Sequence, residues 1–128
     1  MSHSIKIPTA FLQEAREVCS PEVECPALLF GRRDTVYSWR WAKNLLRDKY
    51  AFEIDPEEMY RYIREGEETG LELLAIFHTH PGEPKPSRLD LRHMRLWKIP
   101  WIIANIYTWQ VAGWALEGEL KEVEIAFV

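Results

Sequence analysis

The chain has 128 residues, 47% of them hydrophobic, and a formal net charge of -4. That length and apolar content fit one globular domain over residues 1–128, and the acidic balance gives no electrostatic footprint for nucleic acid. No apolar run approaches the roughly 20 residues that cross a bilayer, and MSHSIKIPTAF has no basic start followed by a long apolar stretch. The expected compartment is therefore the cytoplasm, with Cys19 and Cys25 as reduced thiols and a local disulfide as the lesser alternative. Asparagine and glutamine are scarce beside glutamate, arginine and lysine, a balance that leans toward heat adaptation.

In chain order, His3 falls in a terminus expected to be disordered. TAFLQEAREV after Pro8 predicts a first helix with Thr9 as its cap. Ala27 to Phe30, ended by Gly31, predicts a buried strand, and the alternation in TVYSWRW predicts a second strand antiparallel to it across a tight turn. Leu45 to Ala51 reads as irregular, and Phe52 to Ile54 as a brief strand. Asp55-Pro56-Glu57-Glu58 predicts a helix start, with Asp55 as N-cap and proline at the first helical position. That helix ends near Gly66 or Gly70. Leu73 to Phe77 is a short apolar run leading into histidines, hence a buried strand. A proline-rich loop follows, then a helix from Ser87 to about Lys98, and three strands at Trp101 to Ile106, Gln110 to Leu116 and Val123 to Val128.

The chemistry concentrates in HTHPGEPKPSRLD. Side chains two apart in a strand share a face, so His78 and His80 point together while Thr79 points away. Ser87 followed by Asp90 resembles a capping box, and a helix starting there aims Asp90 at the strand end. Two imidazoles and one carboxylate with an open fourth position suit a catalytic zinc. A His-x-His pair alone is also compatible with a polar rim, and Ser87 and Asp90 with a plain helix cap. A general base is needed beside such a metal; Glu24 and Glu22 are the candidates, against the ordinary reading of both as loop acids. His93 lies on the helix face of Asp90, where packing is the expected role. Glu83 and Lys85 sit in the loop beside the site, and Trp39 and Trp41 read as packing residues.

Glu24 with ALLFG, His78 to Pro81, and SRLD at Ser87 to Asp90 together resemble the JAMM (MPN-plus) zinc metalloproteases, small prokaryotic type. Asn44 at a strand end and FEIDPEE agree with that family, and the resemblance covers nearly the whole chain. It implies a three-layer α/β/α fold of the cytidine deaminase-like type, a central mixed sheet flanked by helices. It also implies one Zn2+ per chain on His78, His80 and Asp90, with Glu24 rather than Glu22 activating a zinc-bound water and Ser87 donating to the oxyanion. The implied reaction is isopeptide or peptide cleavage after the C-terminal glycine of ubiquitin-like modifiers and their lysine conjugates, with the modifier tail extended beside an exposed strand. Processing of a ubiquitin-like sulfur-carrier precursor, or non-catalytic binding of such tails, are the alternatives; no membrane or nucleic-acid partner is expected. Two departures stand out. The loop between His80 and Ser87 is one residue shorter than the family's usual spacing, and Pro26-Ala27 replaces its usual Cys-Gly.

Overall fold

The computed structural model describes residues 4–128; His3 lies outside them. Among the described residues the order is β1 (Ser4–Ile7), α1 (Thr9–Val18), β2 (Ala27–Arg32), β3 (Thr35–Trp41), α2 (Pro56–Glu68), β4 (Glu72–His80), α3 (Arg88–Leu96), β5 (Trp101–Asn105), β6 (Val111–Glu117) and β7 (Glu119–Phe127). The seven strands close into a barrel in the order β1-β3-β2-β4-β5-β6-β7. This corrects the expected three-layer α/β/α stack with a central mixed sheet flanked by helices. The physical reason is β1, a strand the sequence reading did not find. It pairs in parallel with β7 along Ser4 to Ile7 and with β3 through Lys6 and Thr35, so it joins the two ends of the sheet. The β1–β3 seam is narrow, and β3 beyond Thr35 meets no strand on its outer side among the described residues.

Strand alternation divides the apolar side chains into two clusters. Ala27, Leu29, Ala75, Phe77, Ile102 and Ala104 pack with Phe11 and Ala15 of α1. Leu28, Phe30, Ile76 and Trp101 face the other way, toward Met59 of α2 and Met94 of α3. Helix α1 is further pinned to β3 because the indole N–H groups of Trp39 and Trp41 both donate to the Glu14 carboxylate. Gly31 is required by close approach: a Cβ there would collide with the Thr35 carbonyl. None of the described helices is long and apolar enough to cross a membrane.

Several local expectations need correcting. Thr9 is the first residue of α1 rather than its cap, and its hydroxyl donates to the Val128 carbonyl at 3.2 Å. Phe52 to Ile54 forms no strand. Asp55 does cap α2, accepting from the Glu57 N–H at 3.0 Å.

Cys19 and Cys25 are joined as a disulfide with Cα atoms 5.6 Å apart, which corrects the expectation of free thiols. Their spacing falls within the range a disulfide spans without moving the backbone. The bond ties the end of α1 to the segment entering β2. Closing so short a loop should contribute about 2 kcal/mol by restricting the unfolded chain. In urea denaturation the Cys19→Ser/Cys25→Ser protein should be less stable by that amount, with a correspondingly lower midpoint; an equal stability would contradict it.

Candidate metal centre

The run Ala75 to Phe77 is fully enclosed, and it carries β4 rigidly into His78, Thr79 and His80, all buried. Parallel pairing with β5 continues to the end, His78 opposite Ile103 and His80 opposite Asn105, so both histidines sit on fixed backbone. They project to the same side, as the alternation predicts. Their Nε2 atoms are 3.0 Å apart.

Ser87 and Asp90 begin α3. Ser87 Oγ accepts from the Asp90 N–H at 3.1 Å, and Asp90 Oδ2 accepts from the Ser87 N–H at 2.9 Å, a complete capping box with aspartate in the place glutamate usually takes. The capping reading of Asp90 therefore holds. The same Oδ2 lies 3.2 Å from His78 Nε2 and 3.1 Å from His80 Nε2. The shorter loop still delivers Asp90 to the histidines.

Glu24 sits between α1 and β2, outside regular structure, yet it is only 3% exposed. Its carboxylate oxygens stand 3.9 Å from His78 Nε2 and 3.7 Å from His80 Nε2. Glu22, the competing candidate, is exposed on the same loop. Glu24, His78, His80 and Asp90 offer ligand atoms all within 4.8 Å of one another and form a group able to hold a metal ion.

The donor chemistry fits a cation. Donors on a tetrahedral zinc, at roughly 2.0–2.2 Å from it, lie roughly 3.3 Å from each other. The triangle of two imidazole nitrogens and one carboxylate oxygen has sides of 3.0, 3.1 and 3.2 Å. His80 Nδ1 faces the Glu83 carbonyl at 3.3 Å, an arrangement that leaves the Nε2 lone pair aimed at the centre. Both Glu24 carboxylate oxygens are buried with no hydrogen-bond partner among the described residues. Lone pairs gathered this closely repel unless something positive lies among them.

Protonation follows the same geometry. Burial pushes the Glu24 carboxyl up to about 9, and the negative charges of Asp90 and Asp48 add to the rise. Burial lowers His78 and so favours its neutral, ligating form, although Asp90 pulls the other way. For Asp90, burial alone would raise its pKa. The charge and hydrogen bonds of the histidines, with the Ser87 N–H, outweigh burial and hold it well below the usual carboxylate range.

Some contributors escaped the sequence reading. His78 Nδ1 has no hydrogen-bond partner among the described residues, and its ring is held instead by Phe52 and Trp101, at centroid distances of 4.6 and 5.8 Å. Their only signal in sequence was aromaticity, which many core residues share. Asn44, singled out by resemblance alone, is buried and organises the loop beside Glu24. Its Nδ2 donates to the carbonyls of Glu24 at 3.1 Å and Ala51 at 2.9 Å, while its Oδ1 accepts from the Leu46 N–H at 3.0 Å. His93 packs against Phe52 and Trp101, as expected of it. Glu83 and Lys85 are exposed and form a long ion pair at 3.8 Å.

Comparison with known proteins gives the family. The family model described as prokaryotic homologs of the JAB domain matches residues 6–117. A desampylase of Pyrococcus furiosus is 36% identical over 124 residues, covering 95% of this chain and 88% of that protein. A probable TtuB-protein conjugate cleaving protease of Thermus thermophilus is 39% identical over 54 residues, 41% of this chain and 36% of its own length. Among solved structures, a protein of Desulfitobacterium hafniense superposes with a TM-score of 0.81 at 24% identity, covering 97% of this chain and 92% of that one. A JAB1/MPN domain protein of Archaeoglobus fulgidus gives a TM-score of 0.62 at 21% identity, covering 96% and 98% respectively. At that identity these two speak for the fold alone. A family match over residues 6–117, which takes in Glu24, β4 and the whole of the capping box, makes the chain a member of the prokaryotic JAB-domain family.

Proposed function

We propose that this chain is a zinc-dependent hydrolase that cleaves ubiquitin-like modifiers from the lysines of their conjugates. The observation that carries this reading is the convergence of His78 Nε2, His80 Nε2 and Asp90 Oδ2 within 3.2 Å, with the Glu24 carboxylate less than 4 Å away. The names of the relatives support the substrate class, since both a desampylase and a probable TtuB-protein conjugate cleaving protease release modifiers from proteins.

His78, His80 and Asp90 would hold the metal; Glu24, set back from them, is the base. A zinc ion there supplies Lewis acidity, polarising a carbonyl and acidifying water. Glu24 takes the proton from the attacking water and returns it to the departing lysine amine. Its burial serves that double task, because a carboxylate with no hydrogen-bond partner among the described residues holds a proton readily and is free to pass it on. Ser87 Oγ spends its lone pair on the Asp90 N–H, which leaves its hydroxyl hydrogen to donate to the oxyanion. The outer edge of β3, unpaired beyond Thr35, ends beside the base, where the Ala42 N–H donates to the Pro26 carbonyl at 3.0 Å. An extended modifier tail can add to that edge by main-chain hydrogen bonds.

Incubation with lysine-linked and linear modifier fusions, with and without chelator, tests the reading directly. Cleavage of the lysine-linked conjugate should stop with chelator and return with zinc; activity indifferent to chelator would refute it. Glu24→Gln should lower kcat by about 10²–10⁴-fold while zinc content by atomic absorption stays at one per chain. His78→Ala should lose both metal and turnover. Ser87→Ala should lower kcat by about 10²–10³-fold and, through the lost cap, stability by about 1 kcal/mol. Metal affinity should rise with pH. At pH 7 the metal-free protein keeps Glu24 protonated, its pKa lying at about 9, and an incoming cation expels that proton. Calorimetric titration between pH 7 and 9 should show binding tightening by about tenfold per unit, with proton release; a flat profile would mean that Glu24 is already ionised.

A further inference from the structure

Glu24 is carried by a short segment between α1 and β2, so something outside regular secondary structure must fix it. The β2–β4 ladder reaches its last pair at Ala27 and Phe77. Pro26 comes next and has no N–H to give, so the ladder cannot run on through it. The following amide, Cys25 N–H, is satisfied by a side chain: it donates to Thr79 Oγ1 at 3.0 Å. Thr79 stands between the two histidines on β4, with its side chain on the opposite face, and is 1% exposed. On the other flank, the Glu24 N–H donates to the Asp48 carbonyl at 2.8 Å and the Glu24 carbonyl accepts from Asn44.

We propose that Thr79 is a positioning residue for the Glu24 base, acting through the Cys25 amide. The strand that presents the histidines thereby also sets where the carboxylate stands relative to them. The inference rests on reading Glu24 as the base. It assigns a task to the residue between the ligands, whose side chain touches neither metal donor nor carboxylate. A valine would keep the volume and the β-branch while removing the acceptor, so the substitution isolates the hydrogen bond.

The test compares Thr79→Val, Thr79→Ser and Glu24→Gln in the zinc-loaded protein, with turnover expressed per bound zinc. Misplacing a catalytic group by about 1 Å costs about 10²-fold. Thr79→Val should therefore lower kcat by about ten- to a hundredfold, with KM within about twofold, and Thr79→Ser should recover most of the loss. Amide exchange gives a second readout independent of activity: the Cys25 N–H should exchange faster in Thr79→Val and at the original rate in Thr79→Ser. Thr79→Ala makes the same comparison where valine does not fold. Thr79→Val turnover per bound zinc equal to that of the unsubstituted protein, beside an inactive Glu24→Gln, overturns the positioning role and leaves the base intact. An active Glu24→Gln overturns the base assignment itself.

Discussion

Three lone-pair-bearing atoms from three different side chains meet at about hydrogen-bond distance in a place shielded from water, and most of the fold serves to hold them there. Two imidazole nitrogens 3.0 Å apart beside a carboxylate repel through their lone pairs unless a proton or a cation lies among them, and the group they form with Glu24 could hold a metal ion. The same burial explains the contrast between the two acids. Asp90 accepts a backbone N–H at 2.9 Å and stays ionised, whereas the Glu24 carboxylate finds no donor among the described residues and is pushed toward its protonated form. Two carboxyl groups under 5 Å apart are thus pushed toward opposite protonation states by their hydrogen bonds.

The placement of these groups follows from unremarkable elements. Strand β4 supplies rigidity because it lies between β2 and β5, and its apolar run fills both faces. Helix α3 supplies Asp90 at its first turn, where a capping box already constrains the side chain. Phe52 and Trp101 bracket the His78 ring, which has no polar partner at Nδ1 among the described residues. Packing does there what a hydrogen bond does for His80.

The elements legible in the sequence were those with strong local signals. The apolar run before His78, the alternation after Thr35, and the Asp55-Pro56 and Ser87 helix starts all emerge near where they were expected. The clustering of His78, His80 and Asp90 was legible because period-two alternation and the capping box are local rules. What escaped depends on distant partners. Strand β1 is short, and its pairing with β7 lies across the whole chain, so nothing in SIKI announces a closed ring. Thr9 lost its capping role to a bond with Val128, near the other end of the chain. The disulfide went against an expectation drawn from compartment. The 5.6 Å between the two Cα atoms, which only the fold sets, is what permits it.

One oxygen, Asp90 Oδ2, answers to two masters: it receives the first amide of the α3 cap and it faces both imidazoles. Any replacement at this position therefore alters the histidine cluster and the start of a helix together. The Glu24 carboxylate carries no such second bond among the described residues, so a change there leaves that helix start as it is.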